Sequence, residues 1–122
     1  MVKALIVDDS RQIADSMAQM LRFFGIEGQT AYGARAGLTA LREITPSIVF
    51  LDLNMPGLTG FEVLSFLRRE PRLQDVPVIV VTSDDQPESA DRAMHNGATA
   101  YVIKPITLDV LEATLKTLDL VP

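Results

Sequence analysis

The chain has 122 residues, of which 48% are hydrophobic and 22% are charged. This length and composition favour one globular domain over residues 1–122, and the lack of cysteine excludes disulfides, thiol catalysis and cysteine-ligated metals. A formal net charge of −5 argues against direct nucleic-acid binding, which needs clustered lysine and arginine.

The beginning of the chain does not resemble a signal peptide. The segment MVKALIVDDS has one lysine and a short apolar run that two aspartates interrupt. No apolar stretch approaches the length of a membrane span. We therefore expect a soluble, cytoplasmic protein without a membrane partner.

Apolar runs rich in β-branched residues alternate along the chain with segments of helical periodicity. The runs predict strands at residues 4–9, 27–32, 47–52, 76–83 and 100–105, of which the second is the weakest. Within the strong runs apolar and polar residues do not alternate, so we expect both faces of each strand to be covered, as in a parallel sheet.

Five segments with apolar residues at helical spacing accompany these runs. Their stripes are Ile13, Met17, Leu21 and Phe24, ending at Gly25; Leu38, Leu41 and Ile44; Phe61, Leu64 and Leu67; a weak set of Ala90, Ala93, Met94 and Gly97; and Leu108, Leu111, Leu115 and Leu118. The alternation predicts an α/β doubly wound fold, in which a five-stranded parallel sheet is flanked by five helices. Functional groups in such sheets gather beyond the carboxyl ends of the strands.

Four of the predicted strands end in polar residues. Asp8 and Asp9 follow the first strand, Asp52 the third, Thr82 the fourth and Lys104 the fifth. Because parallel strands point the same way, these groups should meet at one edge of the sheet. An all-oxygen donor set indicates a hard cation, and a site with few protein ligands that keeps its waters favours Mg²⁺ over Ca²⁺. A lysine suits phosphoryl oxygens. The set indicates phosphoryl transfer.

The sequence also narrows the choice of the residue that accepts the phosphoryl group. The sequence contains no P-loop, and the set has no serine or threonine paired with a base, which leaves an aspartate as nucleophile. Asp52 is the better candidate because it stands alone at a strand end, whereas Asp8 and Asp9 form a pair suited to a metal.

Four motifs, VDDS, FLDLNMPGLTG, VVTS and IKP, occur in this order and with gaps that resemble the receiver domain of two-component response regulators. The match covers essentially the whole chain. It implies the flavodoxin-like strand order 2-1-3-4-5. It also implies a switch that takes a phosphoryl group from a sensor histidine kinase or a histidine phosphotransfer protein. The face formed by the fourth helix, fifth strand and fifth helix would then change for a downstream output protein or effector domain.

The resemblance also implies the roles of individual residues. Asp52 would be the phosphoacceptor and would help to bind Mg²⁺. Asp9 would bind the metal directly, Asp8 chiefly through water, and the backbone carbonyl of Asn54 would be a further ligand. Lys104 would pair with the phosphoryl group.

Further positions match the switching parts of the family. Thr82 resembles the hydroxyl that moves onto the phosphoryl group, and Tyr101 the aromatic that turns inward with it. Pro105 would follow a cis peptide bond. Asn54 and Asp84 would tune the lifetime of the phosphoaspartate. Departures from the family pattern are minor, such as Ile106 where phenylalanine is common.

Two other functions are compatible with the sequence. One is an aspartyl-phosphate phosphatase, although such enzymes usually carry a second aspartate where this chain has Asn54. The other is a phosphorylation-independent interaction module of receiver fold, against which the complete acidic and lysine set argues. His95 is interpreted as a solvated surface residue, and Arg68 and Arg69 as an exposed helix end that complements the dipole.

Overall fold

The computed structural model describes residues 2–122, in which five strands alternate with five helices. The elements are β1 (Lys3–Val7), α1 (Arg11–Phe23), β2 (Glu27–Ala31), α2 (Ala34–Glu43), β3 (Ile48–Leu51), α3 (Gly60–Arg69), β4 (Val78–Thr82), α4 (Pro87–His95), β5 (Ala100–Ile103) and α5 (Leu108–Thr117). All strand pairs are parallel, and the order across the sheet is β2-β1-β3-β4-β5. The predicted fold and strand order are confirmed.

The sheet separates two apolar cores, because successive side chains of each strand point to opposite faces. On one face the strands pack against α1 and α5, with Phe50 at the centre and Met17 and Leu115 from the two helices. On the other face they pack against α2, α3 and α4, and this core includes Leu41 and Leu64. Helix α4 contributes least, since Ala93 is its only buried residue.

Local sequence signals set the limits of the first and last helices. The Ser10 hydroxyl accepts a hydrogen bond from the Ile13 amide at 3.3 Å, which caps the start of α1. Gly25, with φ of 76°, follows the end of α1 as predicted. At α5, the Thr107 hydroxyl accepts from the Val110 amide at 3.2 Å. These caps fix where the loops at the carboxyl edge of the sheet enter the helices.

Three packing predictions are wrong. Met94 does not join the apolar stripe of α4, because it is 47% exposed. Strand β5 is not covered on both faces, because it lies at the edge of the sheet and Ile103 keeps 43% of its surface exposed. Leu108 does not join the buried stripe of α5; it occupies the first turn and is 44% exposed, whereas Leu111 and Leu115 are buried. Within residues 2–122, no helix has the length and apolar character needed to cross a bilayer.

Candidate functional site

The carboxyl edge of the sheet brings together the polar residues that follow its strands. Asp8 and Asp52 lie just beyond β1 and β3, Thr82 ends β4, and Lys104 follows β5. Asp8 is 3% exposed, Asp52 5% and Thr82 not at all. Buried carboxylates are costly unless they are paired, so this cluster must be stabilised by neighbouring charges and hydrogen bonds.

Lys104 supplies that stabilisation. Its Nζ lies 2.8 Å from Oδ2 of Asp8 and 3.1 Å from Oδ2 of Asp52. Burial lowers the pKa of Lys104, but its hydrogen bond to Asp8 and the charge of Asp52 outweigh burial, so the pKa is raised overall. The ammonium is therefore charged at neutral pH and bridges two buried carboxylates.

Three carboxylates at this edge have the arrangement of a metal site. Asp8, Asp9 and Asp52 each offer an oxygen, and these oxygens lie within 4.8 Å of one another. Asp9 is exposed, while Oδ1 of Asp8 also accepts a hydrogen bond from the Ser10 amide at 2.9 Å. Clustered carboxylates repel one another unless protons or cations compensate, so the donor set fits a hard divalent cation.

The loop after β3 ties Asp52 to β4. The Asn54 amide donates to Oδ1 of Asp52 at 3.1 Å, and the Asn54 side-chain Nδ2 donates to the Thr82 hydroxyl at 3.3 Å. With Oδ1 held by this amide and Oδ2 held by Lys104, the Asp52 carboxylate is fixed in orientation. The Asn54 carbonyl as a metal ligand stays a prediction.

Close backbone packing positions the same loop. Helix α3 starts at Gly60, and a Cβ there would lie 2.6 Å from Cα of Leu53 and closer still to the carbonyl oxygen of Asp52. Only glycine allows this approach without moving the backbone. The second glycine of the motif FLDLNMPGLTG therefore holds the loop that carries Asp52 against α3.

Asp84 and Tyr101 lie together at the start of α4. The Tyr101 hydroxyl donates to the Asp84 carbonyl at 2.7 Å, while the Asp84 carboxylate accepts from the Ser89 hydroxyl at 2.6 Å and from the Gln86 amide at 3.0 Å. The Ser89 hydrogen bond, followed by that from Gln86, lowers the pKa of Asp84. The Asp84 carboxylate thus ties the loop before α4 to the Ser89 side chain in the first turn of that helix, a contact with no local signal in the sequence.

Tyr101 belongs to β5 and is partly buried beside that loop. Burial, followed by the negative charges of Asp84, Asp52 and Asp85, raises the pKa of its phenol. Its hydroxyl therefore stays protonated and able to donate at neutral pH. The peptide bond between Lys104 and Pro105, next to the site, is cis.

The interpretation of Arg68 as an exposed residue is wrong, although it does lie in the last turn of α3, where the dipole favours a cation. Its guanidinium is half-buried and donates to the carbonyls of Gly97 at 2.9 Å, Gln74 at 3.0 Å and Val76 at 2.9 Å. Burial lowers the pKa of Arg68, and the charge of Asp75 opposes that shift. Arg68 joins the end of α3 to the turn between α4 and β5, and no charge pattern in the chain marks these distant carbonyls.

Comparison with known proteins agrees with this geometry. The family described as the response regulator receiver domain matches residues 4–116. The chain belongs to this family, which provides the phosphoacceptor modules of two-component signalling.

Relatives differ in how much of their length the chain covers. Protein PilH of Pseudomonas aeruginosa is 33% identical over 121 residues, which are 99% of this chain and 98% of PilH. The DNA-binding dual master transcriptional regulator RpaA of Synechocystis is 30% identical over 97% of this chain, but the chain spans only 49% of RpaA. The chain thus corresponds to the whole of one relative and to about half of another.

Solved structures share the fold over nearly the whole chain. The chemotaxis protein CheY4 of Vibrio cholerae has a TM-score of 0.90 and 30% identity, with 97% of this chain and 98% of that chain covered. The response regulator TrrA of Thermotoga maritima, solved in complex with Mg(2+)-BeF, has a TM-score of 0.85 and 29% identity, with 97% and 99% covered.

Proposed function

We propose that residues 1–122 form a single receiver domain that acts as a phosphorylation-dependent switch, with Asp52 as the phosphoacceptor. The observation that carries this proposal is the setting of the Asp52 carboxylate. It is 5% exposed, held by Lys104 at 3.1 Å and by the Asn54 amide at 3.1 Å, and clustered with Asp8 and Asp9. A fixed carboxylate at the carboxyl edge of the sheet is suited to in-line attack.

Transfer would proceed by attack of one Asp52 carboxylate oxygen on the phosphorus of the donor. An oxygen–phosphorus bond forms as the bond between phosphorus and the leaving atom breaks, and the leaving group keeps that electron pair. Lys104 would stabilise negative charge on the phosphoryl oxygens, while the Asn54 amide keeps the carboxylate oriented. The chain would thereby assist its own phosphorylation and dephosphorylation without being an enzyme for another substrate.

Asp8, Asp9, Asp52 and the Asn54 carbonyl would hold Mg²⁺. Bound there, Mg²⁺ would neutralise charge on the phosphoryl oxygens. The fit rests on the three carboxylate oxygens within 4.8 Å and on the absence of softer ligands from the cluster.

The switch would pass through Thr82 and Tyr101. The Thr82 hydroxyl already contacts the Asn54 side chain at 3.3 Å and the Asp84 amide at 3.4 Å, so its movement would disturb the loop that Tyr101 holds. Asn54 and Asp84 flank this path and would tune the lifetime of the phosphoaspartate. Partners must bind the two states differently for such a shift to carry a signal.

The face of α4, β5 and α5 supports an output surface. It carries four large apolar side chains that are 41–47% exposed, namely Met94, Ile103, Leu108 and Val110. Exposed apolar side chains on one face are typical of interaction sites.

We propose a sensor histidine kinase or a histidine phosphotransfer protein as the phosphoryl donor. We also propose an output protein or effector domain as the receiver of the signal, and a cytoplasmic location for the chain.

Beryllofluoride, a phosphoryl mimic, tests this proposal by amide NMR. With Mg²⁺, we expect shifts around Asp52, Thr82 and Lys104 that extend to α4 and β5, and none in Asp52→Ala. Shifts confined to the loop after β3 would contradict the switch. Mg²⁺-dependent turnover of a phosphomonoester would instead favour the phosphatase.

A further inference from the structure

Most of the lysines and arginines of this chain lie at the edge of the sheet where the helix dipoles favour a positive charge. The helices run opposite to the parallel strands, so their C-terminal ends lie at the amino edge of the sheet, where cations are favoured. Eight of the 11 lysines and arginines lie at that edge, in last helical turns, just after α3 or at the start of β1. They are Lys3, Arg22, Arg42, Arg68, Arg69, Arg72, Arg92 and Lys116.

Three cations lie at the opposite, carboxyl edge. Lys104 belongs to the site itself, which leaves Arg11 in the first turn of α1 and Arg35 in the first turn of α2. The dipole disfavours a cation in a first turn, and neither helix has an acidic residue there. Among residues 2–122, no carboxylate lies within 4.0 Å of either guanidinium. Neither the dipole nor an ion pair explains these arginines.

Arg35 borders the acidic site, and Arg11 lines the groove next to it. Arg35 lines one cleft together with Asp9 and Gly57, and Arg11 and Arg35 both line the adjoining groove. Tyr32 contributes to both clefts and holds Arg11, whose guanidinium lies 4.3 Å from the centre of the Tyr32 ring. The Tyr32 hydroxyl is fixed in turn by a 2.6 Å hydrogen bond to Asp15.

A phosphoryl donor is an anion, and it must approach three clustered carboxylates. The one cation inside the cluster, Lys104, already contacts both Asp8 and Asp52. We propose that Arg11 and Arg35 form a cationic rim that positions the phosphoryl group of the donor before transfer to Asp52. They are positioning residues for the proposed reaction, so the inference rests on the proposed function. The rim would recognise the phosphoryl anion itself, whether the donor carries it on the oxygen of an acyl phosphate or on a nitrogen atom.

Initial rates of phosphorylation test the rim in the full chain. We would compare Arg35→Gln and Arg11→Gln with the wild type, with acetyl phosphate as the acyl donor and phosphoramidate as the nitrogen donor, both with Mg²⁺. Arg42→Gln on α2 and Arg22→Gln on α1 are matched controls, since each removes one positive charge from the same helix at the far edge. Arg35→Lys tests whether charge alone suffices.

We expect the donor concentration for half-maximal rate to rise on the order of threefold to tenfold in each rim variant, and the effect to shrink at high salt. The maximal rate, the beryllofluoride affinity and both control variants should stay unchanged, and Arg35→Lys should recover most of the loss. An effect with one donor only would restrict the rim to that donor class.

Two results would overturn the rim. Rim variants that match the wild type at every donor concentration would show that the arginines do not position the donor. An equal rise of the half-maximal donor concentration in the rim and control variants would show that only the net charge of the chain matters. If the wild type accepts no phosphoryl group under any condition, the proposed function itself fails, and the rim fails with it.

Discussion

Nζ of Lys104 lies 3.1 Å from Oδ2 of Asp52, a residue 52 positions earlier in the chain, and 2.8 Å from Oδ2 of Asp8. Lys104→Met would leave two buried carboxylates facing each other without this ammonium. We expect the free energy of unfolding to fall by about 1–3 kcal/mol without Mg²⁺, and by less with it. Urea denaturation at neutral pH measures both values.

The pH dependence of this contribution has a defined sign. Because the pKa of Lys104 is raised, the stabilisation is fully present below the ordinary lysine value of 10.5 and is lost as the pH rises through the folded-state pKa. Lys116→Met is the control, since Lys116 is exposed and its one ion pair within residues 2–122 is with Glu112 at 3.7 Å. A loss as large in Lys116→Met as in Lys104→Met would contradict the bridging role.

Asp84 should stabilise the loop that leads into α4. Asp84→Ala removes the acceptor of the Ser89 hydroxyl and of the Gln86 amide, so we expect faster hydrogen exchange of the Gln86 amide and of the amides at the start of α4. Asp85→Ala is the matched control, because within residues 2–122 the one side-chain hydrogen bond of Asp85 is with the Gln86 side chain at 3.4 Å.

The contacts of the Asp84 carboxylate should also respond to acid. Its pKa is lowered, so these contacts are present above the ordinary aspartate value of 3.8 and are lost as the pH falls through the folded-state pKa. NMR titration of the Gln86 amide, which donates to this carboxylate, follows this step. Equal exchange in the two variants at neutral pH would show that Asp84 does not stabilise the loop before α4.

Arg68 should matter far more for stability than its neighbour Arg69. Arg68→Ala leaves three carbonyls without their donor, and we expect the free energy of unfolding to fall by about 2–3 kcal/mol. Arg69 is exposed, and its one hydrogen bond to a described residue is with the Ser65 carbonyl at 3.3 Å, so Arg69→Ala should cost below about 0.5 kcal/mol. Chemical denaturation measures the free energy of unfolding of both variants. Equal decreases in the two variants would contradict the larger contribution of Arg68.

Tyr101 should titrate above the ordinary tyrosine range. The chain has two tyrosines, so Tyr32→Phe leaves Tyr101 as the only phenol whose ultraviolet absorbance changes with pH. Burial and then the charges of Asp84, Asp52 and Asp85 favour the neutral phenol, and its stabilising effect is present below pH 10.0 and lost as the pH rises through the folded-state pKa. A midpoint at or below 10.0 in the folded variant would contradict the described environment.

Much of the fold follows from patterns that are local in the sequence. Continuous apolar runs and helical stripes predicted the element order, and the polar residues after the strands predicted which side chains meet at the carboxyl edge. The 2-1-3-4-5 order came from family resemblance. It could not come from periodicity, because periodicity does not say which strands are neighbours.

The features that escaped prediction depend on the arrangement of distant elements. The edge position of β5 exposes Ile103, although its sequence reads as a buried strand. Arg68 bonds the carbonyl of Gly97, 29 residues away, and no side-chain pattern marks a backbone acceptor. The hydrogen bonds of Asp84 to Gln86 and Ser89 were not predicted, because an acidic loop is equally compatible with full solvation.

The most direct test of the account is the intact mass of the chain after incubation with acetyl phosphate, with and without Mg²⁺, for the wild type and Asp52→Ala. We predict one phosphoryl adduct in the wild type with Mg²⁺, and none without Mg²⁺ or in Asp52→Ala. An adduct that persists in Asp52→Ala, or no adduct in the wild type under any condition, would contradict Asp52 as the phosphoacceptor.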